Sequence, residues 1–234
     1  MAKKLKKRKI ALIIDKSGSM YGLRKSAISA INEQIGTIRR ESGNIPTELT
    51  CIQFNTDVEP MFTTHAQSLR DIDKYQYNPT GGTALYDAIN YGICRIEEDD
   101  KSVSHLVIVI SDGEENSSKE INQSTLVEKI KKLEGKGNWS FVYMMSNVNI
   151  MDLKNKLNIH NNNISTWEYS NDGMIVGSAN VARGVSTYLC STDSGATNTA
   201  NFFSGDTGTV SDSATISNST ATLVTKPKLP KVKK

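Results

Sequence analysis

Apolar runs of two different periods alternate along most of the chain. Residues 9–15, KIALIID, form a continuous apolar run of strand length, the pattern of a strand covered on both faces. Over residues 23–40 the apolar positions Leu23, Ala27, Ile31, Ile35 and Ile38 recur every three or four residues, which predicts an amphipathic helix lying on the sheet. TELTCIQF and DVEPMF then read as two strands of an antiparallel hairpin turning at Asn55, Thr56 and Asp57, with Pro60 confining the second strand to an edge. Leu85, Ile89, Ile93 and Ile96 mark a helix over 84–97, and Thr83 stands where its cap belongs. A second apolar strand follows at 105–110. After it come a helix at 120–134, a strand at WSFVYMM, a short helix at about 150–157, a short strand near NIST and a last helix at about 172–189. Strands alternating with helices predict a mostly parallel sheet between helical layers.

The periodic pattern stops near residue 190. Residues 191–225 are dominated by Ser, Thr, Gly, Asn and Asp, with Phe202 and Phe203 as the only aromatic pair. The mean hydropathy of −0.40 reflects this local polar excess, so the stretch reads as a disordered tail. Charge is equally local. Residues 3–9 carry six Lys or Arg and residues 226–234 five Lys. Taking those eleven from the chain's net +3 leaves −8 for residues 10–225. The expected organisation is therefore a basic N-terminal arm at 1–8, one domain at 9–190, and a tail at 191–234 with a basic end. Nucleic acid is an alternative partner for those ends, but no aromatic residue interleaves with KKLKKRK, and solvated ends are the expectation.

The basic start runs into only five apolar residues before Asp15, too few for a signal peptide or a membrane span. The expectation is a cytoplasmic protein without a membrane partner. Cys51, Cys94 and Cys190 are odd in number and lie in apolar-patterned segments, which fits reduced core thiols better than disulfides or a metal cage. His65, His105 and His160 stand far apart and read as packing or surface residues.

Chemistry concentrates at two strand ends. ALIIDKSGSMYG closes the first apolar run with Asp15, Ser17 and Ser19, and HLVIVISDGEEN closes the other with Ser111 and Asp112. In a parallel α/β sheet a ligand site lies at the carboxyl ends of the strands, where the strand order reverses. In an extended loop, alternate residues point the same way, so Asp15, Ser17 and Ser19 can present a carboxylate and two hydroxyls to one point. Two carboxylates with neutral hydroxyls suit Mg²⁺ or Mn²⁺, and the lack of a Cys or His cluster disfavours zinc. Glu114 and Glu115 read as a solvated acidic turn. Gly81 and Gly82 shape the loop that aims Thr83, with no following Lys to suggest a phosphate loop. Tyr75 and Tyr77 read equally as loop packing or as the rim of a binding surface.

Taken together, DKSGSM, GGTALYDA and SDGEEN, in this order at strand and helix boundaries, resemble the von Willebrand factor A domain and its metal-ion-dependent adhesion site, at the size of a small prokaryotic or phage-type member. The resemblance covers roughly residues 8–190 and leaves the ends unexplained. It implies a three-layer, Rossmann-like fold whose six-stranded, mostly parallel sheet has the order 3-2-1-4-5-6 with one antiparallel edge. It also implies a complete metal site: Ser17, Ser19 and Thr83 as direct ligands, with Asp15 and Asp112 binding directly or through water. With mostly neutral direct ligands, a cation keeps charge and an open position that an Asp or Glu of a partner protein can fill. The expected function is thus divalent-cation-dependent protein binding, with a metal-independent scaffold as the alternative. Catalysis is not expected. An aspartate nucleophile after the first strand needs a second acid two residues on, where Ser17 stands, and no Gly-x-Ser-x-Gly elbow or paired His is present.

Overall fold

The computed structural model of the protein describes residues 5–113, 115–148, 150–197 and 202–203. Six strands, β1 (Lys7–Asp15), β2 (Thr47–Phe54), β3 (Val58–His65), β4 (Val103–Ser111), β5 (Trp139–Ser146) and β6 (Ile164–Trp167), form one sheet in the order β3-β2-β1-β4-β5-β6. All neighbours are parallel except β2 and β3, as the periodicity and hairpin signals predict. The helices are α1 (Arg24–Glu41), α2 (Leu85–Ile96), α3 (Gln123–Glu134), α4 (Ile150–Leu157) and α5 (Asn171–Asp193).

Strand β1 explains the layering. Alternate residues of a strand point to opposite faces. Ile10, Leu12 and Ile14 enter the core beneath α1 and α5, beside Ile31, Ile35, Val181 and Val185. Ala11 and Ile13 enter the other core, beside Ile89 and Ile93 of α2 and Leu126 of α3. Both faces are covered, so the run has no polar position to spare. Burying each such Ile or Leu contributes roughly 1.5–3 kcal/mol. At the opposite extreme, β3 is a half-exposed edge. Its register slips where Cys51 faces Phe62 and Ile52 faces Pro60, so Met61 is the extra residue of a bulge. Pro60 is tolerated there because an edge strand can forgo a ladder donor.

The expected domain limits shift at both ends. The strand begins at Lys7, so the last two residues of the expected basic arm belong to the sheet, and Arg8 is fully buried. Its Nε donates to Thr192 Oγ1 (2.7 Å), Nη1 to the Ser42 carbonyl (2.7 Å), and Nη2 to the Leu189 carbonyl (2.8 Å) and Asp193 Oδ1 (2.6 Å). Arg8 thus ties the carboxyl ends of α1 and α5 to β1, using a guanidinium fork that charge counting alone assigned to solvent. The last helix runs to Asp193 instead of 189. Beyond it, Phe202 is buried against Tyr188, with ring centroids 6.5 Å apart, and a Cβ at Gly184 would fall 2.2 Å from its ring. The Phe202 and Phe203 amides donate to Asn163 Oδ1 (3.3 Å) and the Asn162 carbonyl (3.0 Å). The aromatic pair of the expected tail is therefore docked on the domain. Residues 204–234, and the disorder expected there, lie outside the described residues.

All three cysteines are free, but only Cys51 is in the core. Cys94 and Cys190 are exposed because Ile93 and Leu189, their helical neighbours, take the inward positions. His105 is a packing residue, stacked on Trp139 at 4.1 Å, and burial pushes its imidazole down to about 4. Among the described residues no helix is long and apolar enough to cross a membrane.

Candidate functional site

Strands β1 and β4 lie side by side at the centre of the sheet, and β1 ends at Asp15 while Asp112 follows directly on β4. Asp15 is fully buried. Its Oδ1 accepts the Ser17 amide (2.7 Å) and its Oδ2 the Ser111 hydroxyl (2.6 Å), which in turn accepts the Gly113 amide (3.0 Å). The Ser17 and Ser19 hydroxyls meet at 3.0 Å. They do so through a different backbone from the extended one supposed: Ser17 is extended, but Gly18–Leu23 wind into a 3-10 turn. The hydroxyls converge because the turn folds Ser19 back, not because the strand period continues.

Thr83 arrives from the long connection between β3 and α2. That connection is bonded to the first loop by the Thr80 amide to the Lys16 carbonyl (2.8 Å) and the Gly18 amide to the Gly81 carbonyl (3.0 Å). Gly81 holds φ +78°, a left-handed conformation that strains any other residue, so it permits this close approach. The Thr83 amide donates to Asn116 Oδ1 (2.8 Å), and its carbonyl accepts the amides of Asn116 (3.0 Å) and Ser117 (3.1 Å). Thr83 is buried with its backbone fixed from the loop after β4. The three sequence segments are thus brought to one end of the sheet. Asp15, Ser17 and Ser19 share the first loop, Thr83 is laced to it, and Asp112 lies close enough for its charge to act on Asp15.

Thr83 does not cap α2. The capping position is Ala84, which has no side chain to serve. The cap comes from Glu115, whose Oε2 accepts the Tyr86 amide (2.9 Å), and from the Ser118 hydroxyl, which accepts the amides of Tyr86 and Asp87 (both 3.1 Å). Glu115 also accepts the Ser117 (3.0 Å) and Ser118 (2.9 Å) amides, so it braces the site loops instead of forming a solvated turn. Asp87 returns the brace, accepting the amides of Lys119, Glu120 and Ile121. Sequence patterns missed Glu115 because caps are sought within a few residues of a helix, and this one comes from the next strand's loop. Glu114 lies outside the described residues.

The electrostatics are those of a buried acid pair. Burial first, and then the charge of Asp112, push the Asp15 carboxyl up to about 7, against the opposing hydrogen bonds of Ser111 and Ser17. Among the described residues no basic side chain hydrogen-bonds to that carboxylate. Lys16, next in sequence, sends its amine to Glu59 Oε2 at 2.6 Å. Tyr77 is buried and donates to the Asp15 carbonyl (2.6 Å); burial and the two aspartates push its phenol well above its ordinary range. Tyr75 is 82% exposed, so of the two tyrosines one packs and the other faces solvent. A third tyrosine, not singled out from sequence, reaches the site: the Tyr169 hydroxyl donates to the Ser19 carbonyl at 2.6 Å.

The five candidate side chains, Asp15, Ser17, Ser19, Thr83 and Asp112, offer oxygen donors only. Among the described residues no three or more His, Cys, Asp or Glu side chains converge as they would in a zinc cage. Two buried carboxylates and three hydroxyls match the donor set of a hard cation, and the deficit of positive charge around Asp15 is what such a cation would offset.

An α/β domain of three layers with an oxygen-donor cluster above its two central strands is the class of protein that fold and site define. The chain matches the family described as von Willebrand factor type A domain over residues 9–171, and it belongs to that family. No curated protein matches it. Similar solved structures include the vWF domain of the type V pili tip protein Mfa5 from Porphyromonas gingivalis, with a TM-score of 0.58, 10% identity, and coverage of 78% of this chain and 96% of that one. The pilus adhesin SpaC from Lactobacillus rhamnosus GG, in its open conformation, gives a TM-score of 0.58 at 13% identity, covering 80% of this chain and 31% of its own. A von Willebrand factor type A structure from Catenulispora acidiphila gives 0.55 at 14% identity, covering 79% and 43%. This chain thus spans less than half the length of the last two. At these identities the likeness shows the fold. Domains of this family commonly serve protein–protein adhesion.

Proposed function

We propose that the protein is a divalent-cation-dependent interaction module. In this reading Asp15, Ser17, Ser19, Thr83 and Asp112 hold Mg²⁺ or Mn²⁺, and an Asp or Glu of a partner protein completes the site. The observation that carries the reading is the Asp15 carboxylate, buried beside Asp112 and served by hydrogen-bond donors but no basic side chain. The cation supplies a positive charge that three neutral hydroxyls leave largely unspent. The chain's own part is to fix those donors: Ser111 and the Ser17 amide orient Asp15, and Asn116 holds the backbone of Thr83.

Two further features favour protein binding over turnover. The exposed large apolar side chains among the described residues are Tyr21, Tyr75, Val148, Met151, Tyr169, Ile175 and Val176. All follow the carboxyl ends of parallel strands, begin the helices after them or, for Tyr75, lie beside Arg24 at the start of α1, so they flank the site. No histidine is placed to serve Ser17 or Ser19 as a base: His105 is the third residue of β4, toward the far end of the sheet, His65 ends the antiparallel strand there, and His160 precedes the start of β6. Nucleic-acid binding through the N-terminal basic cluster loses support, since Arg8 is buried and Lys9 pairs with Glu98 at 2.8 Å.

Calorimetric titration of Mn²⁺ into the wild type and into Asp15→Ala tests the metal site, with heat of binding expected for the wild type alone. Equal heats would overturn it. Affinity capture with and without chelator then separates the module from the metal-independent scaffold, which keeps its partners in both.

A further inference from the structure

The connection between β6 and α5 is built to aim one side chain. Trp167 closes β6, and the Tyr169 ring stacks on it with centroids 5.9 Å apart. The Ser170 amide turns back to the Glu168 carbonyl (2.6 Å), and the Ser170 hydroxyl caps α5 by accepting the Gly173 amide (3.0 Å). A Cβ at Gly173 would lie 2.2 Å from the Glu168 carbonyl oxygen, so the turn closes this tightly only around glycine. On the other side, Asn171 Oδ1 accepts the Ser26 hydroxyl of α1 at 2.7 Å. Between these fixed points the Tyr169 hydroxyl donates to the Ser19 carbonyl at 2.6 Å, across 150 residues of sequence.

We infer that Tyr169 is a positioning residue for the cation site, acting through the peptide of Ser19. This inference rests on the metal reading given above. Ser19 is the second residue of the 3-10 turn, and its hydroxyl lies 3.0 Å from that of Ser17. Fixing the carbonyl fixes the rotation of the residue that bears the hydroxyl, so the two donors are held together before a cation arrives. Tyr169 is also 44% exposed, so the group that orders the site lies on the surface a partner covers.

The test is Tyr169→Phe, which removes the hydroxyl and keeps the stacked ring. Mn²⁺ alone is the probe, with its affinity read by calorimetry and paramagnetic resonance, and the melting temperature is read separately in chelator. Ser104→Ala is the control. It removes a hydroxyl at the opposite end of the sheet that bonds to Tyr188 and to the Thr197 carbonyl (2.7 Å). Tyr169→Phe should weaken Mn²⁺ binding about three- to tenfold, the worth of one hydrogen bond, while its melting temperature in chelator stays within about 2 °C of the wild type. The control should bind Mn²⁺ as the wild type does. Unchanged affinity in Tyr169→Phe overturns the positioning role and leaves the metal reading standing. Equal weakening in the control also overturns it, because loss of any hydrogen bond would then suffice. A wild type that binds no Mn²⁺ overturns the metal reading and this inference together.

Discussion

A carboxyl pushed up by burial makes the metal-free protein less stable as pH rises, and Asp15 allows the size to be worked out. Its folded value of about 7 stands above its ordinary 3.8. For an acid with a raised folded value, the unfolded chain releases the proton first, so folding is penalised progressively from about pH 4 and fully above pH 7. At 1.36 kcal/mol per pH unit the full penalty is about 4 kcal/mol, or about 10 °C of melting temperature for a chain of this size. The raw profile does not isolate it. The stability that His105 gains by staying neutral is complete above 6.5 and is lost as pH falls toward about 4, an opposing trend in the same window. The diagnostic quantity is the difference between wild type and Asp15→Asn in chelator, in which His105 cancels. Thermal melts at intervals from pH 4.5 to 8 should show Asp15→Asn gaining on the wild type up to pH 7 and levelling off. Saturating Mg²⁺ should shrink or reverse that gap, because only the wild type is stabilised by the ion. Parallel melting curves in chelator across the range would refute the argument, since they would mean that Asp15 titrates as a solvated acid.

Arg8→Ala strands the Ser42 and Leu189 carbonyls and should cost about 3–5 kcal/mol in urea unfolding, whereas a loss under 1 kcal/mol would show that water replaces the guanidinium without penalty. Asp193 accounts for little of this, being 41% exposed. Glu115→Ala removes the cap of α2 and the brace of its neighbouring loop, and should cost about 2 kcal/mol; an unchanged unfolding midpoint would return Glu115 to the role of a solvated acid. Phe202→Ala should cost about 3 kcal/mol if the ring occupies its slot over Gly184 in solution, and less than about 0.5 kcal/mol if it does not.

Much of the fold was legible because burial on two faces leaves a simple trace. KIALIID and HLVIVIS have no polar interruption, and α1 and α2 carry their apolar stripes at the spacing that faces a sheet. Pro60 alone was enough to place β3 at an edge. The candidate donors were legible for a related reason, since acids and hydroxyls stand out where an apolar strand ends. What escaped depends on distance along the chain. Glu115 caps a helix that began thirty residues earlier, Tyr169 reaches a loop from the far side of the domain, and neither leaves a local pattern. Arg8 is hidden by its neighbours. Six positive charges in seven residues look like a solvated run, and only the three-dimensional meeting of two helix ends distinguishes Arg8 from its neighbours. Cys94 and Cys190 show the limit of periodicity itself, since an apolar-looking residue one step off the stripe faces outward.

The Arg8 clamp also bears on when the protein can finish folding. Its partners on α5 stand 181 to 185 residues further along the chain, while β1 is the strand on which β2 and β4 assemble. The central strand is therefore made before the rest of the domain, but its buried charge has only the Ser42 carbonyl and the Thr47 hydroxyl to bond until the last helix has been made. During synthesis the sheet must wait with one end of its middle strand solvated, and the final closure joins the earliest and latest parts of the domain in one event. Such long-range closure slows folding, and it makes the docking of α5, rather than formation of the hairpin or the first helix, the step that commits the domain to its native state.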